Sequence, residues 1–281
     1  MEFATRPLSR CVCALGLALA SMTQATAADR PALTQPLWEL GVGLAWVHLP
    51  HYRGSDQSRD WVLPVPYAVY RGKILRATRE GARAVLFDSE RFDLDVSVSG
   101  TAPTRSSGNR ARAGMADLPA AAEIGPNLNA TLARGKDWKV DLRMPVHAVF
   151  SVQTHTRALG YTVSPVINLD TKLSGWSIGL QAGPRWASGR YHDFYYGVGA
   201  ADATASRPAY TGRSGQAGWR LTTGASRRLG DYWLGAFVRA DGLDGANFLD
   251  SPLVRQRHNL TYGLVLSWVA KVSDERVAAQ D

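Results

Sequence analysis

Cysteine is almost missing from this chain of 281 residues: there are two, Cys11 and Cys13, both near the start. Everything after them lacks a thiol. That excludes a disulfide framework, a cysteine nucleophile and a thiolate metal site from the rest of the chain. Long apolar runs are missing too. Beyond the first thirty positions nothing approaches the roughly 18 residues a membrane-spanning helix needs. Runs of one charge sign are also absent, although the net charge is +8. The basic residues are scattered singly, without the stripe that grips nucleic acid. Such a charge suits anionic lipid headgroups, lipopolysaccharide or peptidoglycan. Catalytic signatures are lacking as well. There is no G-x-S-x-G, no H-E-x-x-H, no P-loop and no G-x-G-x-x-G opening a helix, so neither an enzyme nor a cofactor is expected.

The first 27 residues have the form of a cleaved secretory signal. Arg6 and Arg10 give a positive start, Cys11 to Ala20 a short apolar stretch, and Ala25-Thr26-Ala27 a small-x-small cleavage site. Residues 28–281 then read as one domain, closing with a polar tail from about 271.

That domain alternates. From Trp138 to Phe150, Trp138, Val140, Leu142, Met144, Val146, Ala148 and Phe150 fall on one face. Lys139, Asp141, Arg143 and His147 fall on the other. A strict period of two fits a strand and not an amphipathic helix. The pattern recurs around Trp38–Trp46, Phe92–Ser99, Ile124–Leu132, Trp176–Trp186 and Leu260–Trp268, and more weakly at Leu159–Leu173, Trp219–Leu229 and Tyr232–Asp241. Most segments reach the roughly 9–11 residues of a tilted transmembrane strand. Many begin or end in Trp or Tyr on the apolar face, as an aromatic girdle would.

Short turns near Arg71–Lys73, Asp88–Arg91, Arg134–Asp137, Leu173–Gly175 and Gly230–Asp231 alternate with long loops at His48–Asp60, Thr101–Pro119, Ser151–Arg157, Ser188–Gln216 and Gly242–Gln256. This is the rhythm of an all-β, antiparallel up-and-down outer-membrane barrel, with short periplasmic turns and long extracellular loops. The count is twelve strands if Lys73–Asp88 splits around Glu80-Gly81, and ten if that hairpin stays out of the membrane. A charge in mid-membrane lipid costs about 2–4 kcal/mol. Asp93, Asp95, Glu123, Asp141, Arg143, Arg185, Arg239 and Asp241 therefore belong to the lumen, as an ion-pair network or, less favoured, a selectivity path. Arg227 falls in the apolar phase near a short turn, where it can snorkel.

Three arrangements bear on chemistry. His48 and His51 near Asp56 suggest a metal only weakly, and a solvated loop suits them better. His147 beside Ser151 suggests a remote lipid-hydrolase dyad. The aromatic run Tyr191-His192-Asp193-Phe194-Tyr195-Tyr196 suggests a loop that folds over the barrel or meets a partner.

Specific residues carry a family resemblance. Pro50-His51-Tyr52-Arg53-Gly54-Ser55-Asp56, Pro64-Val65-Pro66-Tyr67, Gly114-Met115-Ala116-Asp117-Leu118 and Glu123-Ile124-Gly125-Pro126 occur in order. Tyr195-Tyr196-Gly197-Val198, Arg207-Pro208-Ala209-Tyr210 and Asp250-Ser251-Pro252-Leu253-Val254 follow. Together they resemble the MltA-interacting protein (MipA/OmpV) family over roughly residues 38–270. The resemblance implies an outer-membrane barrel without catalytic residues. It also implies a scaffold that brings a murein lytic transglycosylase together with a bifunctional penicillin-binding protein. A porin-like channel or an adhesin is the alternative. One departure is the end of the chain: Trp268 is followed by polar residues, whereas a barrel usually ends on an aromatic.

Overall fold

A computed structural model of the chain describes residues 34–78 and 81–278. The expected signal at 1–27 and the tip residue Glu80 lie outside the described residues. Two short strands, β1 (Thr34–Pro36) and β15 (Arg276–Ala278), pair with each other as a separate two-stranded sheet.

The body, Pro36–Val277, is a single antiparallel sheet closed on itself. Its first six strands are β2 (Trp38–Pro50), β3 (Ser58–Arg71), β4 (Leu75–Thr78), β5 (Gly81–Asp88), β6 (Phe92–Thr101) and β7 (Ala121–Arg134). Next come β8 (Trp138–Ser151), β9 (Ala158–Val163), β10 (Val166–Leu173) and β11 (Trp176–Ala187). The last three are β12 (Gly215–Leu229), β13 (Tyr232–Gly242) and β14 (His258–Val272). β14 pairs with β2 from Tyr262↔His48 to Val272↔Glu39, which closes the wall.

β9 and β10 are one strand broken in the middle, since β8 and β11 each pair with both. The barrel therefore has twelve strands, including the β4–β5 hairpin. The sequence suggests an unbroken strand from Leu159 to Leu173; Ser164 and Pro165 interrupt it. Pro165 has no N–H to give to a ladder. β11 also presses against the break: a Cβ on Gly183 would collide with the Pro165 carbonyl oxygen.

The barrel is apolar outside and polar inside. On the outer face Val42 is 64% exposed and Leu264 51%, whereas the inward Asp95, Asp141 and Asp241 are at most 2% exposed. An apolar outer face around a closed sheet that buries its carboxylates is the arrangement of a transmembrane barrel. Exposed aromatics mark both rims. Tyr70, Trp138, Tyr232 and Trp268 ring the short-turn end, and Trp46, Tyr161, Trp186 and Trp219 the long-loop end. Arg227, on the outer face, lays its guanidinium over the Trp176 ring at the short-turn rim, 5.9 Å from the centroid.

β14 continues through Lys271 and Val272, past the expected start of the tail. Among the described residues no helix is long and apolar enough to cross a membrane. The main apolar core lies among the long loops, around Tyr52, Val149, Tyr196, Leu243, Phe248 and Leu253.

Candidate functional site

Four long loops converge over the loop end of the barrel, and their contacts are mutual. The β2–β3 loop enters first. Gly54 turns there at φ +93, a left-handed conformation that favours glycine. Its N–H donates to Asn259 Oδ1 at 2.6 Å, and Asn259 Nδ2 donates to the Ser55 carbonyl at 2.9 Å. Tyr52 donates to the Leu253 carbonyl at 2.8 Å. Burial pushes the Tyr52 hydroxyl up to about 12, so it stays a donor.

The β11–β12 loop begins with α1 (Gly189–Tyr196), capped by the Ser188 hydroxyl, which accepts from the Tyr191 N–H at 3.3 Å. This helix buries Tyr191, His192 and Tyr196. Tyr196 stacks on Phe248 with centroids 3.7 Å apart and donates to the Arg53 carbonyl at 2.9 Å. Ser251 in turn donates to the Tyr196 carbonyl at 2.7 Å. His192 is fully buried, with Nδ1 on the Arg213 carbonyl. Burial holds its pKa below the ordinary value.

Two arginines knot the loops through backbone carbonyls. Buried Arg112 donates to the carbonyls of Tyr195 and Ala116 at 3.2 and 3.1 Å. Burial lowers the pKa of its guanidinium. Arg207 reaches the carbonyls of Ala111 and Ala113 at 3.0 and 2.9 Å and that of Asp202 at 2.8 Å.

Some of the motif residues singled out in the sequence thus meet in space, and others do not. Tyr52, Gly54, Ser55, Tyr196, Arg207 and Ser251 are internal fastenings of this cap. Met115 packs against its core. Tyr210 donates to Asp250 at 3.1 Å, and Asp56 pairs with Arg110 at 3.1 Å, both near the surface. Pro50 ends β2, Pro252 is half-buried, and Gly114 and Pro208 are exposed.

Beneath the cap the lumen holds layered ion pairs. Glu123 meets Arg185 at 3.0 Å and accepts from Thr162 at 3.2 Å; Arg185 also donates to the Tyr191 hydroxyl at 3.3 Å. Asp241 is surrounded by Arg220 at 2.9 Å, Arg53 at 3.0 Å and Arg239 at 3.2 Å. Further along, Asp95 accepts from Asn129 at 3.0 Å, Asp93 accepts from the same amide, and Arg83 stands 3.4 Å from Asp95. Asp141 lies between Lys139 at 3.1 Å and Arg143 at 3.5 Å, and Arg143 reaches Asp170 at 2.9 Å. Near the short-turn end Glu39 holds Arg71 and Arg228, at 2.5 and 2.7 Å. Each acid thus meets cations or amide donors, as buried charge requires.

The candidate dyad is not assembled. His147 and Ser151 are four steps apart on β8, about 13 Å along a strand. Ser151 accepts from the Arg157 N–H at 3.0 Å. His147 instead meets Ser97 Oγ at 3.0 Å, with Glu123 3.8 Å from its other nitrogen. Glu123 also holds Arg185 and Thr162. His48 bonds Asp60 at 3.0 Å and stacks on Tyr262, while His51 bonds Asn109 at 3.0 Å. The two rings are thus committed to different partners.

Several of these residues carry no signal in the sequence by themselves. Asn109, Arg112 and Arg220 became visible only through their partners. Arg53 and His192 lay inside motifs already noted.

The family model for "MltA-interacting protein MipA" matches residues 42–270. The chain belongs to the MipA family. The matched span starts within β2 and ends within β14, so it takes in nearly the whole closed barrel with its cap. A search of curated proteins finds no match for this MipA-family chain. Among solved structures it is similar to a "Bacterial polysaccharide outer membrane secretin", at 9% identity and TM-score 0.40, covering 84% of this chain and 99% of that one. It is also similar to the "CymD monoaromatic hydrocarbon channel" (11%, TM-score 0.37, 84% and 89% covered) and to outer membrane phospholipase A from Escherichia coli (11%, TM-score 0.34, 86% and 94% covered). The MipA-family chain is an outer-membrane β-barrel protein.

Proposed function

We propose that this protein is a non-enzymatic outer-membrane scaffold. In this reading its periplasmic rim brings a murein lytic transglycosylase together with a bifunctional penicillin-binding protein. The observation that carries it is the MipA family match across residues 42–270. Two features of the barrel support it. The loop end is covered by a cap whose loops bond and pack on one another, which suits a body better than a conduit. The short-turn rim presents Lys73, Arg91, Arg134 and Lys136, all exposed. Such cations would attract acidic partner surfaces, anionic lipid and lipopolysaccharide within a Debye length of about 10 Å at 0.1 M salt.

The test is retrieval from a mild-detergent membrane extract with the tagged, full-length barrel as bait. A lytic transglycosylase should be recovered with it. Clean recovery of the barrel without any murein enzyme would contradict the proposal.

A further inference from the structure

The barrel wall is not paired all the way round. β3 has fourteen residues, but β4 pairs with it only at Tyr70↔Ala77 and Arg71↔Arg76. Across the hairpin, the β5–β6 ladder stops at Arg83↔Ser97, short of Val98–Thr101. Among the described residues, Ser58–Val69 therefore has β2 as its only ladder partner. A window is left in the wall. The β3 edge and the end of β6 flank it, and the β4–β5 hairpin forms its sill. Above it, the β6–β7 loop is bonded to the β2–β3 loop, through Thr104 to the His51 carbonyl at 2.6 Å and Asn109 to Ser55 at 3.0 Å.

The window lies at membrane level. Val62 stands opposite Trp46 of the upper girdle, and Tyr70 opposite Trp38 near the lower one. Val62 to Ala68 spans about 20 Å of strand. It is toward the long-loop side, hence the outer leaflet.

An open strand edge in lipid normally invites another strand, because unpaired backbone groups are costly there. This edge resists one. Pro64 and Pro66 sit in an unbroken register with β2, opposite Leu44 and Val42. Having no N–H, they occupy positions whose donors would face away from β2, toward the window. A docking strand would find no donor at two successive places. The edge accepts no full ladder, from a second copy or from anything else.

The side chains behind the window are also unusual. On β3 three successive inward positions, Trp61, Leu63 and Val65, are apolar, and Leu63 is 43% exposed. The apolar surface continues around the lumen: Val47 and Phe237 flank Gly263. Arg59, exposed and stacked 4.7 Å over the Trp61 ring, stands at the extracellular end of the same edge. An anionic headgroup would lie there.

From this we infer that the gap between β3 and β6 is a lateral portal that admits the acyl chain of an outer-leaflet lipid. The chain lies against Trp61, Leu63 and Val65, with its phosphate near Arg59. Pro64 and Pro66 keep the portal open by denying pairing.

The test uses the folded barrel in nanodiscs of phosphatidylethanolamine and phosphatidylglycerol, doped with a phospholipid bearing a diazirine at the end of one acyl chain. After illumination, adducts are mapped by mass spectrometry. Adducts are expected on inward Leu63 and Val65 as well as on lipid-facing Val62. Inward Thr222 and Thr261, behind paired wall, should carry none. Leu63→Trp should fill the portal and abolish the Val65 adduct while Val62 is still labelled. Adducts confined to Val62 would overturn the proposal. So would a Val65 adduct that survives in Leu63→Trp, or an unlabelled β3 covered by another protein.

Discussion

Tyr196 donates its hydroxyl to the carbonyl of Arg53, 143 positions earlier in the chain, while its ring lies flat on Phe248. One side chain thus joins three loops. Tyr196→Phe leaves the part-buried Arg53 carbonyl short of a partner, at a cost of about 1 kcal/mol. Phe248→Ala removes the stacking surface and opens a cavity, costing about 3–5 kcal/mol. Limited proteolysis of the 197–214 segment should quicken in both variants, more in the second. Heat-modifiable migration of the barrel should be unchanged, because the cap is not part of the sheet.

The lumen pairs make a sharper demand. Glu123 and Arg185 are both buried, so Glu123→Gln leaves a buried guanidinium uncompensated and should destabilise the barrel by about 3–5 kcal/mol. Replacing both by Leu and Met should cost less than the single change. Urea unfolding midpoints of the two variants decide the order.

Acid should loosen the cap before the barrel. Burial holds the imidazoles of His51 and His192 below their ordinary value of 6.5, with Arg59 adding to the effect at His51. The folded cap therefore prefers them neutral, and the opened cap binds more protons below that value. The stability they contribute is complete above pH 6.5 and is lost as pH falls from there toward their lower folded values. Hydrogen exchange of residues 189–213, corrected for intrinsic rate, should accelerate between pH 7.5 and about 5. Exchange in β13 and β14 should not.

Much of the fold was legible because a strand in lipid must alternate. Trp138–Phe150 shows which face is wet without any knowledge of its neighbours. β3 was harder: Trp61, Val62, Leu63, Pro64, Val65 and Pro66 are apolar on both faces, so alternation fails where the window lies. The cap was hidden for a different reason. Tyr52, Arg112, Tyr196 and Ser251 are far apart in sequence, and no local pattern encodes their contacts. Helix α1 did carry a signal, a Ser188 cap followed by tyrosines at helical spacing, but it stood within an aromatic loop. His147 and Ser151 are near in sequence, whereas strand register places His147 beside Ser97. Register depends on pairing across strands.

A covered mouth also bears on the channel alternative. Purified barrel in planar bilayers should show no stepwise conductance, and Arg143→Ala or Arg185→Ala should not create selective steps. Discrete single-channel steps sensitive to either change would favour a porin-like role.

The scaffold proposal stands or falls on simultaneous binding. The direct measurement is biolayer interferometry on the barrel held in nanodiscs, loaded first with a lytic transglycosylase and then with the soluble part of a bifunctional penicillin-binding protein from the same bacterium. The account predicts that the second protein adds to the first and that both responses weaken as salt rises. Failure of the transglycosylase to bind, or displacement of one enzyme by the other, would contradict it.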